Sequence, residues 1–466
     1  EKKIFIILKQ YNFTYEDNKF VQKDKIRFKS FLEEGLNKLR SEGEIFFSDE
    51  FKKIMIEKNY ITVELNIEFE ENEPQDLKIH EYYYLTNGYK IDSDSIEKIQ
   101  SNKRFIEIEG TTTAIENYNE IRQLKNILAS VALNVKKLPN QFITKIDISH
   151  FLYVYDEINK ILQTSPDTKV SFTLPQKLEK MITVRDAFVK NQDISIFKKK
   201  VSIPNEVKDV LRPYQKFGFF WFHFLKEFNF GGILADDMGL GKTVQVLTFI
   251  KSLDSAKPSL IVCPTSLLFN WQNEINKFFP NTKVLVIKGN INDRKTFISH
   301  INRYEIIVTS YSLLRNDVEM YQIYDFEVIV LDEANHIKNP NTNVSNAVKQ
   351  LSGNHKFVLT GTPVENNLVE LWSIFSFVSP MLLGKFKPFK DYYVDNFSES
   401  RLEELKSRIS PFVLRRNKND VLKELPPKII QTFEAELSPT QKNLYQDILI
   451  EVSESVMSRI RKEGLQ

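Results

Sequence analysis

Five short runs of near-continuous apolar residues constrain this chain more than any other feature. They are Ile233-Leu234-Ala235, Leu260-Ile261-Val262, Ile306-Ile307-Val308, Val328-Ile329-Val330-Leu331 and Phe357-Val358-Leu359. None alternates with polar residues, so each needs apolar cover on both faces, as a parallel strand has when helices pack above and below it. The stretches between the runs are long enough for crossover connections. The expected fold class is α/β, a doubly wound parallel sheet with a helical insertion over residues 206–430. Ligands of such a sheet bind beyond the carboxyl ends of its strands, so the residues just after each run are the candidates for chemistry.

The preceding residues read differently. Ile61 to Phe69 alternates apolar and polar over nine positions, the pattern of a half-buried strand. Tyr82 to Leu85 and Tyr89 to Ile91 flank Asn87-Gly88, a pair suited to a tight hairpin. Phe105 to Ile108 reads as a third strand, and Leu124, Ile127, Leu128 and Val131 fall at helical spacing. Residues 1–165 are therefore expected to form a smaller α+β accessory domain, without a chemical motif of its own. Pro166, Pro175 and Pro204, with the lysine triplet Lys198-Lys199-Lys200, make 166–205 read as a linker. Residues 431–466 read as the start of a further connection, with a helix opening at Ser438-Pro439-Thr440-Gln441.

Composition narrows the class without naming a function. Hydrophobic residues make up 42% and charged residues 27%, ordinary for a soluble globular protein. No run approaches the roughly 18 apolar residues of a membrane span, so no membrane partner is expected. A net charge of +2 spreads no basic field over the molecule, and contact with a polyanion must come from a local groove. The single cysteine, Cys263, rules out an intrachain disulfide and fits a cytoplasmic setting. The six histidines (His80, His150, His223, His300, His336 and His355) show no ligand spacing. A first residue of Glu1 rather than Met reads as an excised fragment.

The first apolar run is followed by Asp236-Asp237-Met238-Gly239-Leu240-Gly241-Lys242-Thr243 and a helix expected from near Val244. Glycines let a backbone wrap a phosphate and aim N–H groups at its oxygens, and the helix adds its positive amino end. Lys242 is a point charge for the β and γ phosphates of ATP, and Thr243 a hydroxyl ligand for magnesium. The strict Gly-x-x-x-x-Gly-Lys-Thr form fails, because Asp236 stands where glycine is expected. Alone, such a turn also serves purely structural ends. The fourth run ends in Asp332-Glu333-Ala334, 90 residues beyond Lys242. An acid there holds magnesium, and the next polarises the attacking water. Asp332 and Glu333 therefore join Lys242 as catalytic candidates. Thr360-Gly361-Thr362-Pro363 comes after the fifth run, where small hydroxyl residues relay the state of a γ-phosphate.

Together these segments resemble a superfamily 2 helicase-type ATPase with RecA-like lobes, and the flanking residues resemble the SWI/SNF family of DNA translocases. The markers are Leu211-Arg212-Pro213-Tyr214-Gln215, Leu234 to Thr243, Pro264-Thr265-Ser266-Leu267 with Asn270-Trp271, and Thr309-Ser310-Tyr311. Asp332 to Asn339, Leu359 to Asn366 and Phe412-Val413-Leu414-Arg415-Arg416 complete them in family order across 211–426. The Tyr83 to Tyr89 hairpin resembles the accessory region of bacterial SWI/SNF-like proteins.

The resemblance implies that Gln215 reads adenine and that Asp237, Met238, Gly239, Leu240, Gly241, Lys242, Thr243 and Val244 line the nucleotide. It implies that Thr265, Ser266, Thr309 and Tyr311 contact the sugar-phosphate backbone of double-stranded DNA without sequence preference. Thr360, Gly361 and Thr362 would couple the two sites. The implied activity is DNA-stimulated ATP hydrolysis that drives translocation and remodels protein–DNA complexes. A DNA-bound protein such as RNA polymerase would be the target, and the setting cytoplasmic and nucleoid-associated. Asn335 stands where the family has His or Gln, which bears on that coupling. No second RecA-like lobe is legible before Gln466. Since an arginine finger is worth roughly a thousandfold in rate, this chain is expected to bind nucleotide and DNA but to hydrolyse poorly alone. An ATP-gated DNA or protein binding module is the alternative reading. An RNA helicase fits the Asp236 to Gly239 and Arg415-Arg416 segments less well.

Overall fold

A computed structural model describes residues 2–16, 19–24, 27–28, 31–40, 42, 45, 57–101, 104–108, 111–190, 195, 201–361, 367–421 and 436–463. Lys198, Lys199, Lys200, Thr362 and Pro363, singled out above, lie outside the described residues. The chain divides into two compact units, 1–418 and 419–466.

The first half of the larger unit is built on a five-stranded sheet. β1 (Ile61–Glu70) and β2 (Glu73–Leu85) pair antiparallel, as do β3 (Ala132–Leu138) and β4 (Gln141–Asp147). β5 (Lys169–Thr173) adds parallel to β1, giving the order β5-β1-β2-β4-β3. The alternation read from the sequence buries Ile61, Val63, Leu65 and Ile67 on one face. Helix α1 (Tyr118–Val131) buries Ile121, Leu124, Leu128 and Val131, and α2 (Phe151–Thr164) adds Phe151, Leu152 and Ile158 to the same core. Phe105–Ile108 pairs in a separate three-stranded sheet. Gly88 takes φ +85° in the expected turn, but beyond it only a single bridge between Tyr84 and Lys90 forms. Tyr89 to Ile91 is therefore not a strand.

The stretch expected as a linker is folded where it is described. β5 forms one edge of the sheet, and α3 (Gln176–Arg185) buries Leu178, Met181 and Val184. Pro175 occupies the N-cap of α3, so the proline marks an element boundary rather than a flexible passage. Phe188 then stacks on Phe217 at 4.3 Å between ring centroids.

Phe217 belongs to α4 (Pro213–Glu227), which starts with proline at its first turn and buries Phe219, Phe220, Trp221, Phe222 and Phe224. After it come β6 (Gly232–Leu234), α5 (Lys242–Lys251), β7 (Ser259–Cys263), α6 (Leu268–Phe278) and β8 (Val284–Val286). Next along the chain are β9 (Ile306–Ser310), α7 (Tyr311–Tyr321), β10 (Asp325–Asp332) and β11 (Ser352–Leu359). The helix α8 (Glu399–Ile409) and β12 (Val413–Leu414) complete the lobe. The seven strands form one sheet in the order β8-β9-β7-β10-β11-β6-β12, and every pair is parallel. This is the doubly wound α/β fold the apolar runs implied, with a RecA-like arrangement. The two strands missing from the sequence reading, β8 and β12, are the two edges.

The two sheets share one hydrophobic core. The Arg408 Nη2 donates to Ser130 Oγ at 2.8 Å, and the Ser407 hydroxyl to Glu157 Oε1 at 3.0 Å, joining α8 to α1 and α2. In the smaller unit, α9 (Pro439–Glu463) opens on a reciprocal cap between Ser438 and Gln441, with distances of 3.1 and 3.4 Å.

Candidate nucleotide site

Three neighbouring strands, β10, β11 and β6, end at one level, because Asp332 pairs with Leu359 and Leu359 with Leu234. Adjacent strands lie about 4.8 Å apart, so the segments leaving these three ends are gathered within roughly 10 Å. Those segments are the 236–243 loop, Glu333, and Thr360-Gly361. The Thr360 N–H donates to the Leu234 carbonyl at 3.2 Å, fastening the third segment to the strand that feeds the loop. Met238, 64% exposed, leans toward Gly361, where an added Cβ would meet its Cγ at 3.6 Å.

The loop is shaped by two left-handed glycines, Gly239 at φ +86° and Gly241 at φ +71°. Gly241 is the N-cap of α5, which starts at Lys242 rather than near Val244, so Lys242 and Thr243 lie in the first turn. A Cβ at Gly241 would come 2.4 Å from the Gln215 Nε2. Gln215 is buried and fixed at both ends: its Oε1 accepts the Arg212 N–H at 2.9 Å, and its Nε2 donates to the Leu240 carbonyl at 3.2 Å. The Lys242 ammonium donates to the Asp236 carbonyl at 2.8 Å, which holds a cation against the loop.

Asp236 owes its place to packing rather than to phosphate. Its carboxylate is fully buried and accepts Arg416 Nε at 2.8 Å, Arg416 Nη2, and Gln245 Nε2 at 3.2 Å. Asp332 is the second buried acid. It accepts the Trp271 indole N–H at 2.9 Å and the Glu333 backbone N–H at 3.0 Å. Burial pushes its carboxyl up to about 6, while the Trp271 hydrogen bond and the Lys242 charge oppose the rise. Glu333 is one of three non-glycine residues with positive φ among the described residues, at +50°. Such a conformation costs roughly 1–3 kcal/mol and persists only where surrounding structure imposes it.

Of the residues expected to touch DNA, Thr265 and Ser266 are exposed on the short Thr265–Leu267 turn after β7. Thr309 and Tyr311 depart from the expectation. β9 runs through Ser310, so Thr309 is still inside the sheet and fully buried. Tyr311 is 3% exposed; its hydroxyl donates to the Asp332 carbonyl at 2.8 Å and its ring stacks on His336 at 4.7 Å. It braces the acidic segment instead of facing outward. Sequence reasoning assigns no role to Trp271, Gln245 or Arg416. Arg416 enters the sequence reading only within the Phe412 to Arg416 family marker, with no role attached.

Residues 214–465 match the SNF2-related domain, and residues 1–74 match the bacterial SNF2 helicase-associated domain. The chain belongs to the SNF2-related family. An uncharacterized ATP-dependent helicase of Mycoplasma genitalium is 43% identical over 55% of this chain and 25% of its own length. The Bacillus subtilis protein YwqA, named for a helicase/translocase, is 34% identical over 78% of this chain and 40% of its own. The Saccharomyces cerevisiae TATA-binding protein-associated factor MOT1 is 40% identical over 53% and 15% respectively. A Sulfolobus solfataricus SWI2/SNF2 ATPase core solved with dsDNA aligns at 38% identity over 54% of this chain and 53% of that one, with a TM-score of 0.43. The chain thus spans well under half the length of these curated SNF2 relatives.

The residues fit a magnesium nucleotide. The loop offers backbone N–H groups, the amino end of α5 and an ammonium, and Thr243 with Asp332 offers hard oxygen ligands. Magnesium bound through one or two protein oxygens plus phosphates needs no all-protein cage. Among the described residues no three His, Cys, Asp or Glu side chains converge into one. Nor is any described helix long and apolar enough to cross a membrane.

Proposed function

We propose that this chain is the ATP-binding lobe of a DNA-stimulated ATPase that translocates on double-stranded DNA and remodels protein–DNA complexes. The observation that carries the reading is the common level at which β10, β11 and β6 present Asp332, Thr360 and the glycine loop. Family membership and the names of the relatives support it. Magnesium ATP would supply the phosphoryl group and the charge that the metal neutralises. The chain's own residues do the rest. Gln215 recognises the base, the loop N–H groups and Lys242 hold the phosphates, and Thr243 and Asp332 take the metal. Glu333, held in a strained backbone beside Asp332, orients the water. Thr265 and Ser266 are the DNA-facing pair retained from the sequence reading, and uncharged contacts of that kind carry no base preference.

The test is ATP turnover by the full-length protein, with and without duplex DNA. Lys242→Ala and Glu333→Gln are each expected to lower DNA-stimulated turnover about a hundredfold or more. Unchanged turnover in both variants would overturn the reading. DNA affinity that responds to an ATP analogue in a protein without turnover would turn it toward a nucleotide-gated binding module.

A further inference from the structure

Between β12 and the end of the larger unit, residues 414–418 run as a strap beside the nucleotide loop. The Ala235 N–H donates to the Leu414 carbonyl at 2.7 Å and the Asp237 N–H to the Arg416 carbonyl at 3.0 Å. In return, the Lys418 N–H donates to the Asp237 carboxylate at 2.9 Å. From this strap the Arg416 guanidinium reaches three separate elements. It pairs with the buried Asp236 through Nε and Nη2, donates from Nη2 to Gln245 Oε1 on α5 at 2.7 Å, and donates from Nη1 to the Tyr214 carbonyl on α4. Its charge also lies over the Tyr214 ring, 5.3 Å from the centroid. The junction is too tight for a side chain at Gly218, where a Cβ would stand 1.9 Å from Gln245 Oε1 and 3.1 Å from Arg416 Nη2.

We infer that Arg416 is a positioning residue for nucleotide binding, latching the start of the phosphate loop, the helix after it and the base-reading helix into one arrangement. The inference rests on the nucleotide reading of the site. Arg416 touches Asp236 at the loop's first position, Gln245 one turn into α5, and Tyr214 immediately before Gln215. Gln245 in turn donates to the Leu240 and Gly241 carbonyls at 3.3 Å, so the same cluster holds the loop's far end. The junction takes four hydrogen bonds from one side chain, which a planar guanidinium with its five donors can give and a lysine ammonium with three cannot. This also accounts for the aspartate at 236: the position needs an anion to dock the strap, which glycine cannot provide.

The experiment measures KM and kcat for ATP on the full-length protein, with thermal melting as a check on folding. Arg416→Lys keeps the charge and loses the fork. It is expected to raise KM for ATP about tenfold while kcat falls far less. Arg416→Gln leaves Asp236 buried and unpaired, so its melting temperature should drop. In the double variant Asp236→Asn, Arg416→Gln the melting temperature should recover while KM stays high. A Lys variant whose KM is unchanged, or whose loss is confined to kcat and melting temperature, would show Arg416 to be structural filling only. Lys242→Ala separates the two claims. If it and Glu333→Gln both leave turnover intact, the nucleotide reading fails and the latch fails with it. If it abolishes turnover while KM in Arg416→Lys is normal, only the latch fails.

Discussion

Two acids in the two largest sheets, Glu81 and Asp332, are buried in opposite ways. In the amino-terminal sheet, Glu81 is fully buried and saturated. Lys125 bonds to it at 2.9 Å, the Tyr83 hydroxyl donates to it at 2.7 Å, and the Thr144 hydroxyl donates to its other oxygen. The Lys125 ammonium also sits 3.6 Å from the Phe142 ring centroid, so the cation is satisfied too. In the seven-stranded sheet, Asp332 is 8% exposed and bonds only to neutral donors among the described residues, Trp271 and a backbone N–H. One acid has its cation built in; the other is poised for a cation from outside. Asp236, in the same lobe, shows that the lobe saturates an acid when its task is to hold shape. The difference separates these two acids rather than the two halves, since Asp147 in the amino-terminal sheet is also buried and accepts only from the Ser149 N–H and hydroxyl.

The largest expected effect tests the structural side. Lys125→Met leaves Glu81 buried without its cation, and breaking a buried pair from one side costs about 3–5 kcal/mol. Denaturant or thermal unfolding should show that loss, while KM for ATP in the protein that remains folded stays as in the parent. A shift in KM with little loss of stability would mean that the amino-terminal sheet serves the nucleotide site, and the contrast would collapse.

Next in size is Asp332, where function and stability should oppose each other. Burial pushes its carboxyl up to about 6, above the ordinary value of 3.8. A raised acid is a stabilising feature only while protonated. That contribution is fully present below about pH 4 and is lost as pH rises through about 6, at an order-of-magnitude cost of about 2–3 kcal/mol by neutral pH. Asp332→Asn should therefore melt higher than the parent at pH 7, melt about the same near pH 4, and lose metal-dependent turnover. If Asp332 takes the metal, proton and magnesium compete for it, so the magnesium concentration needed for half-maximal parental turnover should rise as pH falls below about 6. An Asn variant that is less stable at pH 7 would assign Asp332 to the same class as Glu81.

Legibility in the residues alone divides along local and non-local causes. Strands covered on both faces have to be apolar throughout, so β6, β7, β9, β10 and β11 announce themselves, and their register then places the loop, the acids and Thr360 together. β12 is an edge strand of two residues, too short for a pattern to show, whereas β8 is as long as β6 and as apolar, and the five runs above do not include it. The 166–205 stretch misleads because proline marks helix starts as well as linkers. Arg416 is legible only as part of a family marker. Its partner Asp236 is 180 residues away, and the two meet only because β6 and β12 pair in one particular register.

Thr265 and Thr309 divide in the same physical terms, and they carry the smallest expected effect. In the sequence, both stand as strand-end hydroxyls expected, from the family resemblance, to face DNA. The strand before Thr265 stops at Cys263 and leaves it on an exposed turn, whereas β9 continues through Ser310 and keeps Thr309 in the core. Thr265→Ala and Ser266→Ala should each weaken binding to duplex DNA by about 1 kcal/mol or less, since each removes at most one neutral hydrogen bond to a phosphate. The salt dependence should not change, because no charge is removed. Thr309→Val nearly preserves volume in a buried position and should leave DNA affinity as it was. Titration of a labelled duplex with the full-length protein at two salt concentrations compares all three. A Val variant at 309 that weakens DNA binding as much as the Ala variants would show that β9 opens when DNA binds, and that burial in this conformation does not decide which hydroxyls touch the backbone.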